Sequence, residues 1–383
     1  MGAPKRLAFT VDEYRARVAR VQTGMQAIGL DALVVRDRAN ICYLTGFENC
    51  YMVAYYAAIV PAAGDPVLVA SNFEMLNADV SSWCEDRVTF PVITDDPIAT
   101  TCRTIQDRGW GRARLGMETN VVTAHEHHAI VNRLPDVTVV DAANLIAEVK
   151  VIKSRAEIEY LREAGRLTTK GVAAALAQVA AGKTDNDVAA AASEALLRGG
   201  SEFMCIDPIV TVGKRSGIPH TTFRRTVIGP GDSVLVEMAA CICRYSAPLM
   251  RTAAVRPVSN EIRRAADACR DSLSMLVEHM RSGNSGADVA RRARASWSPL
   301  CDQLIWHGIY AYSVGLGFPP NWNDAPLGIQ VDSDFILQPG MCFHATTSLR
   351  LAGQFGTAMS ETVLITEQGN EVLTSGPREL LVS

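Results

Sequence analysis

The chain has almost no excess of charge. Its 383 residues include 37 lysines and arginines against 41 aspartates and glutamates, a formal balance of -4. That balance removes the broad basic field by which proteins hold nucleic acid, so no nucleic-acid partner is expected. Long apolar runs are missing too: alanine-rich stretches at 172–181 and 188–197 are interrupted by polar residues, and no membrane partner is expected. The first ten residues have too short an apolar part to be expected to act as a secretory signal. Among ten cysteines there is no Cys-x-x-Cys pair. Cys241 and Cys243 share a strand face by alternation, and buried reduced thiols in a cytoplasmic protein are the expected state. Low-complexity segments and short internal repeats are absent. What remains is a globular composition, 48% hydrophobic, long enough for two domains with sizeable cores.

Periodicity divides the chain near residue 150. Residues 10–30 read as a helix, with Thr10 as cap and Tyr14, Val18, Val21 and Met25 at helical spacing. Strands follow at 31–35, 57–60 and 66–70, and the helix–strand alternation up to residue 147 predicts an α/β domain over 1–150. Ser154 and Glu157 form a capping box that opens a long helix and a second domain, 151–383. Further helices are predicted at 185–198, 260–281 and 286–300, and strands at 208–212, 233–238 and from 341 onward. The His125-Glu-His127-His128 cluster has ligand-like composition, but the pattern reads as a polar helix face.

The most informative stretch is Gly231–Thr252: a Gly-Asp turn, an apolar run ending at Glu237, a small-residue bend, then a run ending Arg251-Thr252. With the Asn40–Phe47 segment (N-I-C-Y-L-T-G-F) and the Ile152–Ala164 segment, it resembles the creatinase/aminopeptidase P/prolidase family. That resemblance implies the pita-bread fold: a smaller amino-terminal α/β domain and a carboxy-terminal domain with a curved antiparallel sheet flanked by helices. It also implies a homodimer in which the Phe47–Tyr51 region reaches toward a partner's site. Metallopeptidases of the family bind paired ions through five positions. Here these read Glu237, Pro248, Tyr312, Thr346 and Ser360. Proline offers no side-chain ligand atom, so no metal and no other cofactor is expected.

The replacements resemble those of ectoine hydrolases and related creatinase-like proteins, which open amidines or guanidines without a catalytic metal. The resemblance implies a metal-independent hydrolase of a small non-peptide C–N bond, with a small molecule as substrate. His220, in Ile-Pro-His, holds the place of the family's proton-shuttling histidine, against the alternative of a loop histidine satisfied by backbone. Glu237 is open to three roles: ligand on a longer arm, base or nucleophile, or buried structural acid. Glu361 is the third catalytic candidate, on condition that a bulge turns it toward Ser360's face of the strand. Arg251 is placed to clamp a substrate carboxylate, or equally to pair with a structural acid. Trp322, in the Phe318–Asp324 segment, is placed to stack on a flat cation. Tyr245, Tyr312 and His344 complete the expected substrate-binding set. Two other readings stand beside this one: a catalytically inactive ligand- or partner-binding protein, and an Xaa-Pro metallopeptidase using Glu237, His344 and Glu361 as atypical ligands.

Overall fold

The computed structural model describes residues 5–51, 53–296 and 303–383. It divides into two compact units, Met1–Lys150 and Val151–Ser383. In the first unit the helices are α1 Val11–Ala27, α2 Arg38–Thr45, α3 Met75–Ser81, α4 Pro97–Asp107, α5 Ala124–Arg133 and α6 Leu145–Lys150. Its strands are β1 Ala32–Val35, β2 Tyr56–Pro61, β3 Val67–Ser71, β4 Arg87–Phe90, β5 Arg114–Met117 and β6 Thr138–Asp141, in the spatial order β4-β3-β2-β1-β5-β6. Thr10 caps α1, whose buried residues include the periodic set Tyr14, Val18, Val21 and Met25.

The Asn40–Phe47 segment lies mostly in α2, capped by Asp37 and ended by Gly46 in the left-handed region (φ 75°). A Cβ at Gly46 would come within 2.7 Å of the Ser81 carbonyl, so the close approach as well as the dihedral requires glycine. Buried Glu118 accepts the Arg36 and Asp37 amides and the Asn40 side-chain amide, which ties the segment to β5. His125, His127 and His128 are exposed on α5. Among the described residues, no group of three metal-capable side chains occurs.

The second unit has α7 Arg155–Leu176, α8 Asp185–Arg198, α9 Asn260–His279 and α10 Gly286–Ala295. The helix expected over 286–300 thus ends at Ala295, and 297–300 lie outside the described residues. Strands β7 Ile209–Val212, β8 Ser233–Met238, β11 Leu249–Ala254 and β17 Leu381–Val382 make one sheet, in the order β17-β11-β8-β7. The other contains β9 Cys241–Ile242, β10 Tyr245–Ser246, β12 Ala311–Phe318, β13 Asn321–Ile329, β14 Cys342–Leu351, β15 Phe355–Thr366 and β16 Gly369–Val372. Pairing is antiparallel except between β11 and β17. The expected curved sheet is therefore split in two.

Each sheet buries its outer face under a helix pair. Val188, Ala192 and Leu196 of α8 pack with Val234, Val236 and Met238 of β8. Cys269, Leu273 and Leu276 of α9 pack with Phe343, Ala345, Met359 and Val363. Alternation then sends the intervening residues inward, between the sheets. The expected capping box at Ser154 is formed, and a further one opens α8 at Thr184.

A fully buried ion pair fixes the start of this unit to β13. Lys153 Nζ lies 2.8 Å from Asp324, with side chains 0% and 2% exposed. Asp324 also accepts from Ser313 Oγ at 2.7 Å. Gly315 is bare where a Cβ would meet the Asp324 carboxylate at 2.1 Å, so the motif's glycine makes room for the pair. Replacing Asp324 with Ala is expected to cost about 3–5 kcal/mol in denaturant unfolding, because Lys153 would be left buried and unpaired. Lys153→Met with Asp324→Leu is expected to recover most of that loss; equal losses for single and double variants would refute the pairing as a major contribution.

Candidate functional site

Two strands carry acids toward the expected site, but they aim them differently. Glu237 on β8 stands opposite Met250 on β11. Leu235, Met250 and Ala358 form a small apolar cluster between the sheets, which places this face inward. Glu237 is 9% exposed, and no hydrogen bond from a described residue reaches its carboxylate. Burial pushes its pKa up from 4.5 to about 7, with Arg350 nearby pulling the other way.

Across from it, Tyr312 on β12 and His344 on β14 are paired neighbours, and Ser360 on β15 is paired with Thr346. All face inward, because their flanking residues Ala311, Phe343, Ala345 and Met359 lie in the outer core. Ser360 Oγ accepts the Met250 amide at 2.6 Å and lies 2.6 Å from His344 Nε2. His344 Nδ1 lies 2.7 Å from Tyr312 Oη, which also accepts from Trp322 Nε1 at 3.0 Å. The Tyr312 and Trp322 rings both meet His344 edge-on. Burial, then nearby His307, lowers the His344 pKa to about 3, so the ring is neutral. Burial and the Glu237 charge raise the Tyr312 phenol well above its ordinary value.

Arg350 belongs to the same inner row of β14 as His344, Thr346 and Ser348, two residues apart each time. Its Nη1 donates to the Ser216 carbonyl at 2.5 Å. That carbonyl belongs to a short 3-10 turn, Gly213–Gly217, laid across the β14–β15 hairpin. Contact is close enough that a Cβ at Gly217 would come within 2.5 Å of Leu351 O, and one at Gly356 within 2.0 Å of Ser216 O. The turn leads into His220, which is exposed and has a positive φ of 55°. His220 is close enough to His307 to act on its charge, and His307 Nε2 lies 3.4 Å from Thr346 Oγ1. Desolvation of the His307 ring, then Arg350 and His220, hold its pKa below the usual value.

Three expected site residues are placed elsewhere. The β14–β15 register is unbroken from Cys342↔Leu364 to Leu351↔Phe355, so no bulge redirects Glu361. Its buried carboxylate instead accepts from Arg251 Nη2 at 2.7 Å, Arg378 Nε at 3.1 Å and Thr374 Oγ1. Arg251, paired with Val236, shares the face opposite Glu237. It spends its donors on Glu361 and on the Met250, Ser360, Gly376 and Pro377 carbonyls, leaving no free edge for a substrate carboxylate. Tyr245 is buried and donates to Glu157 of α7 at 2.7 Å, which makes it a brace between helix and sheet. The site residues that sequence reasoning passed over are Arg350, Ser360 as a hydrogen-bonding group, and His307. Counting by twos from His344 would have reached Arg350.

The donor set does not fit the paired metal ions that this fold carries in peptidases. Of the five positions, only Glu237 presents a carboxylate. Ser360 and Tyr312 are engaged with His344, whose two ring nitrogens are both occupied. The Pro248 carbonyl accepts from Thr362 Oγ1 at 2.8 Å. Glu361, the remaining acid of the atypical-ligand reading, points to the other face.

Comparison with known proteins agrees with the architecture. The model for metallopeptidase family M24 matches residues 159–367, more than half of the chain, and that for the creatinase/prolidase N-terminal domain matches 17–152. The chain is 28% identical to an ectoine hydrolase from Halomonas elongata over 395 residues, covering 98% of each. It is 26% identical to a probable dipeptidase PepE from Mycobacterium tuberculosis, again over 98% of each. A prolidase structure from Thermococcus sibiricus superimposes with a TM-score of 0.86 at 20% identity, covering 97% of this chain and 99% of that one. With its two-domain pita-bread fold, the chain belongs to metallopeptidase family M24, a family of hydrolases, while carrying at the family's ligand positions a different chemistry.

Proposed function

We propose that the chain hydrolyses a C–N bond of a small non-peptide molecule, an amidine, guanidine or strained amide, without a metal ion, and does so as a homodimer. The observation that carries this reading is Glu237, a buried carboxylate with no donor among the described residues, whose burial raises its pKa to about 7. A carboxylate so poised exchanges protons readily near neutral pH. Likeness to an ectoine hydrolase along nearly the whole chain supports the reaction class. Likeness to dipeptidases favours peptides, but the donor set described above lacks what paired ions need.

In this reading, Glu237 takes a proton from water while the water oxygen bonds to the electron-poor carbon. The C–N bond then breaks, and the Glu237 carboxyl returns the proton to the departing nitrogen. Direct attack by Glu237 uses the same placement: its oxygen bonds to carbon, the nitrogen leaves with a proton drawn from solvent through His220, and water opens the resulting acyl or imidoyl link. His220, exposed on the rim beside His307, is assigned the exchange of protons between this region and solvent.

Protein purified without added ions is expected to release amine or ring-opened product from ectoine, guanidino acids or related amidines, and to do so in chelator. Stoichiometric paired ions with chelator-sensitive cleavage of Xaa-Pro dipeptides would overturn the reading; turnover of none of these would favour a binding protein. Glu237→Gln is expected to lower kcat by at least about 100-fold.

The raised pKa also sets opposite pH trends. The folded state binds the extra proton between about 4.5 and about 7, so stability falls as pH rises through that window, by about 3 kcal/mol, then levels off. Activity, which needs the ionised carboxylate, is expected to rise to a plateau above pH about 7. Thermal unfolding of wild type and Glu237→Gln at pH 5 and pH 8 checks the first trend: the variant should gain relative stability at pH 8. An unchanged difference would mean that the Glu237 carboxyl titrates normally.

A further inference from the structure

Four hydrogen bonds in series dictate where the Tyr312 proton goes. The Met250 N–H can only donate, so Ser360 Oγ accepts from it. Ser360 is fully buried, and His344 Nε2 is the other partner of its hydroxyl, at 2.6 Å. The serine proton therefore points at Nε2, because leaving it unpaired in the interior would cost the full desolvation penalty. His344 then carries its own proton on Nδ1, which donates to Tyr312 Oη at 2.7 Å. Trp322 Nε1–H, again donor only, fills the second acceptor site of the same oxygen at 3.0 Å. Both lone-pair directions on the phenol oxygen are taken. Its own O–H is left as a donor, on a half-buried residue of the inner face that Glu237 also shares.

We infer that Tyr312 is a catalytic hydrogen-bond donor, aimed by Ser360 and His344, that contacts the substrate heteroatom gaining electron density as the C–N bond is attacked. This rests on the Glu237 reading above and adds the substrate's second point of contact. The molecule that fits presents an electron-poor carbon to Glu237 and, on that carbon, an oxygen or nitrogen that accepts a hydrogen bond. In an amide the acceptor is the carbonyl oxygen. In an amidinium it is a nitrogen whose lone pair appears only on attack, so the bond forms chiefly in the transition state. Tyr312 remains a phenol throughout, and no proton leaves the relay. Ser360 and His344 are positioning residues: they act only through Tyr312.

The tautomer of His344 tests the relay without any substrate. In the full chain labelled with nitrogen-15 at histidine, the His344 signals, assigned by their loss in His344→Gln, should show a protonated Nδ1 and a bare Nε2. They should stay neutral down to pH 5. A proton on Nε2, or an imidazolium above pH 5, would overturn the inference while leaving the Glu237 reading intact. Ser360→Ala should unlock the ring and shift the Nε2 resonance; an unmoved resonance would equally overturn it. For a substrate turned over by wild type, Tyr312→Phe should lower kcat about 100- to 1000-fold with KM within a few-fold. Retained kcat would refute the donor role. Loss of activity on Glu237→Gln with kcat retained in Tyr312→Phe would separate the two assignments.

Discussion

Side-chain hydroxyls, together with one buried guanidinium, tie the two sheets of the carboxy-terminal unit together. Along β11 and β15 the contacts repeat every second residue. Thr362 donates to the Pro248 carbonyl, Ser360 accepts the Met250 amide, and Thr252 accepts the Ala358 amide. Behind them Arg251 bonds to the Ser360 carbonyl and to Glu361, so a charge that would be costly to bury alone is paired and surrounded by carbonyls. Because β8 pairs directly with β11, this lacing also sets the height of Glu237 above Tyr312 and His344. A site assembled from opposing sheets needs such a connection.

The departures from the family pattern are chemically related to one another. Positions 248 and 360, which hold metal ligands in the peptidases this fold resembles, supply a carbonyl and a hydroxyl to the lacing. Position 312 supplies a phenol to a relay that also occupies His344. Ser360 and Tyr312 share the His344 bridge, so changing either back toward a carboxylate or imidazole would strand the other. That mutual dependence explains why positions 312 and 360 differ together.

Much of the fold was legible because it follows from local chemistry. The capping box at Ser154 and the apolar period of α1 need only neighbouring residues. The opposed facing of Ser360 and Glu361 was also readable, since alternation along a strand is geometric; what the sequence left open was a bulge, and the register has none. Tyr245 was misread, and Arg251 left open between a substrate and a structural acid, for a different reason. Their partners lie 110 and 88 residues away, and no motif records which distant acid a side chain will meet. Arg350 was missed because it is not among the family's five ligand positions, although its parity with His344 was visible.

The Met250 amide belongs to the residue directly across from Glu237, yet it is also the first donor of the chain that ends at Tyr312. The acid and the phenol are thus suspended from the same rung. A breathing motion that parts the sheets would withdraw the amide from Ser360, release the imidazole to flip tautomer, and let the phenol turn its proton inward. Alignment of acid and phenol therefore depends on one backbone contact across the sheet gap.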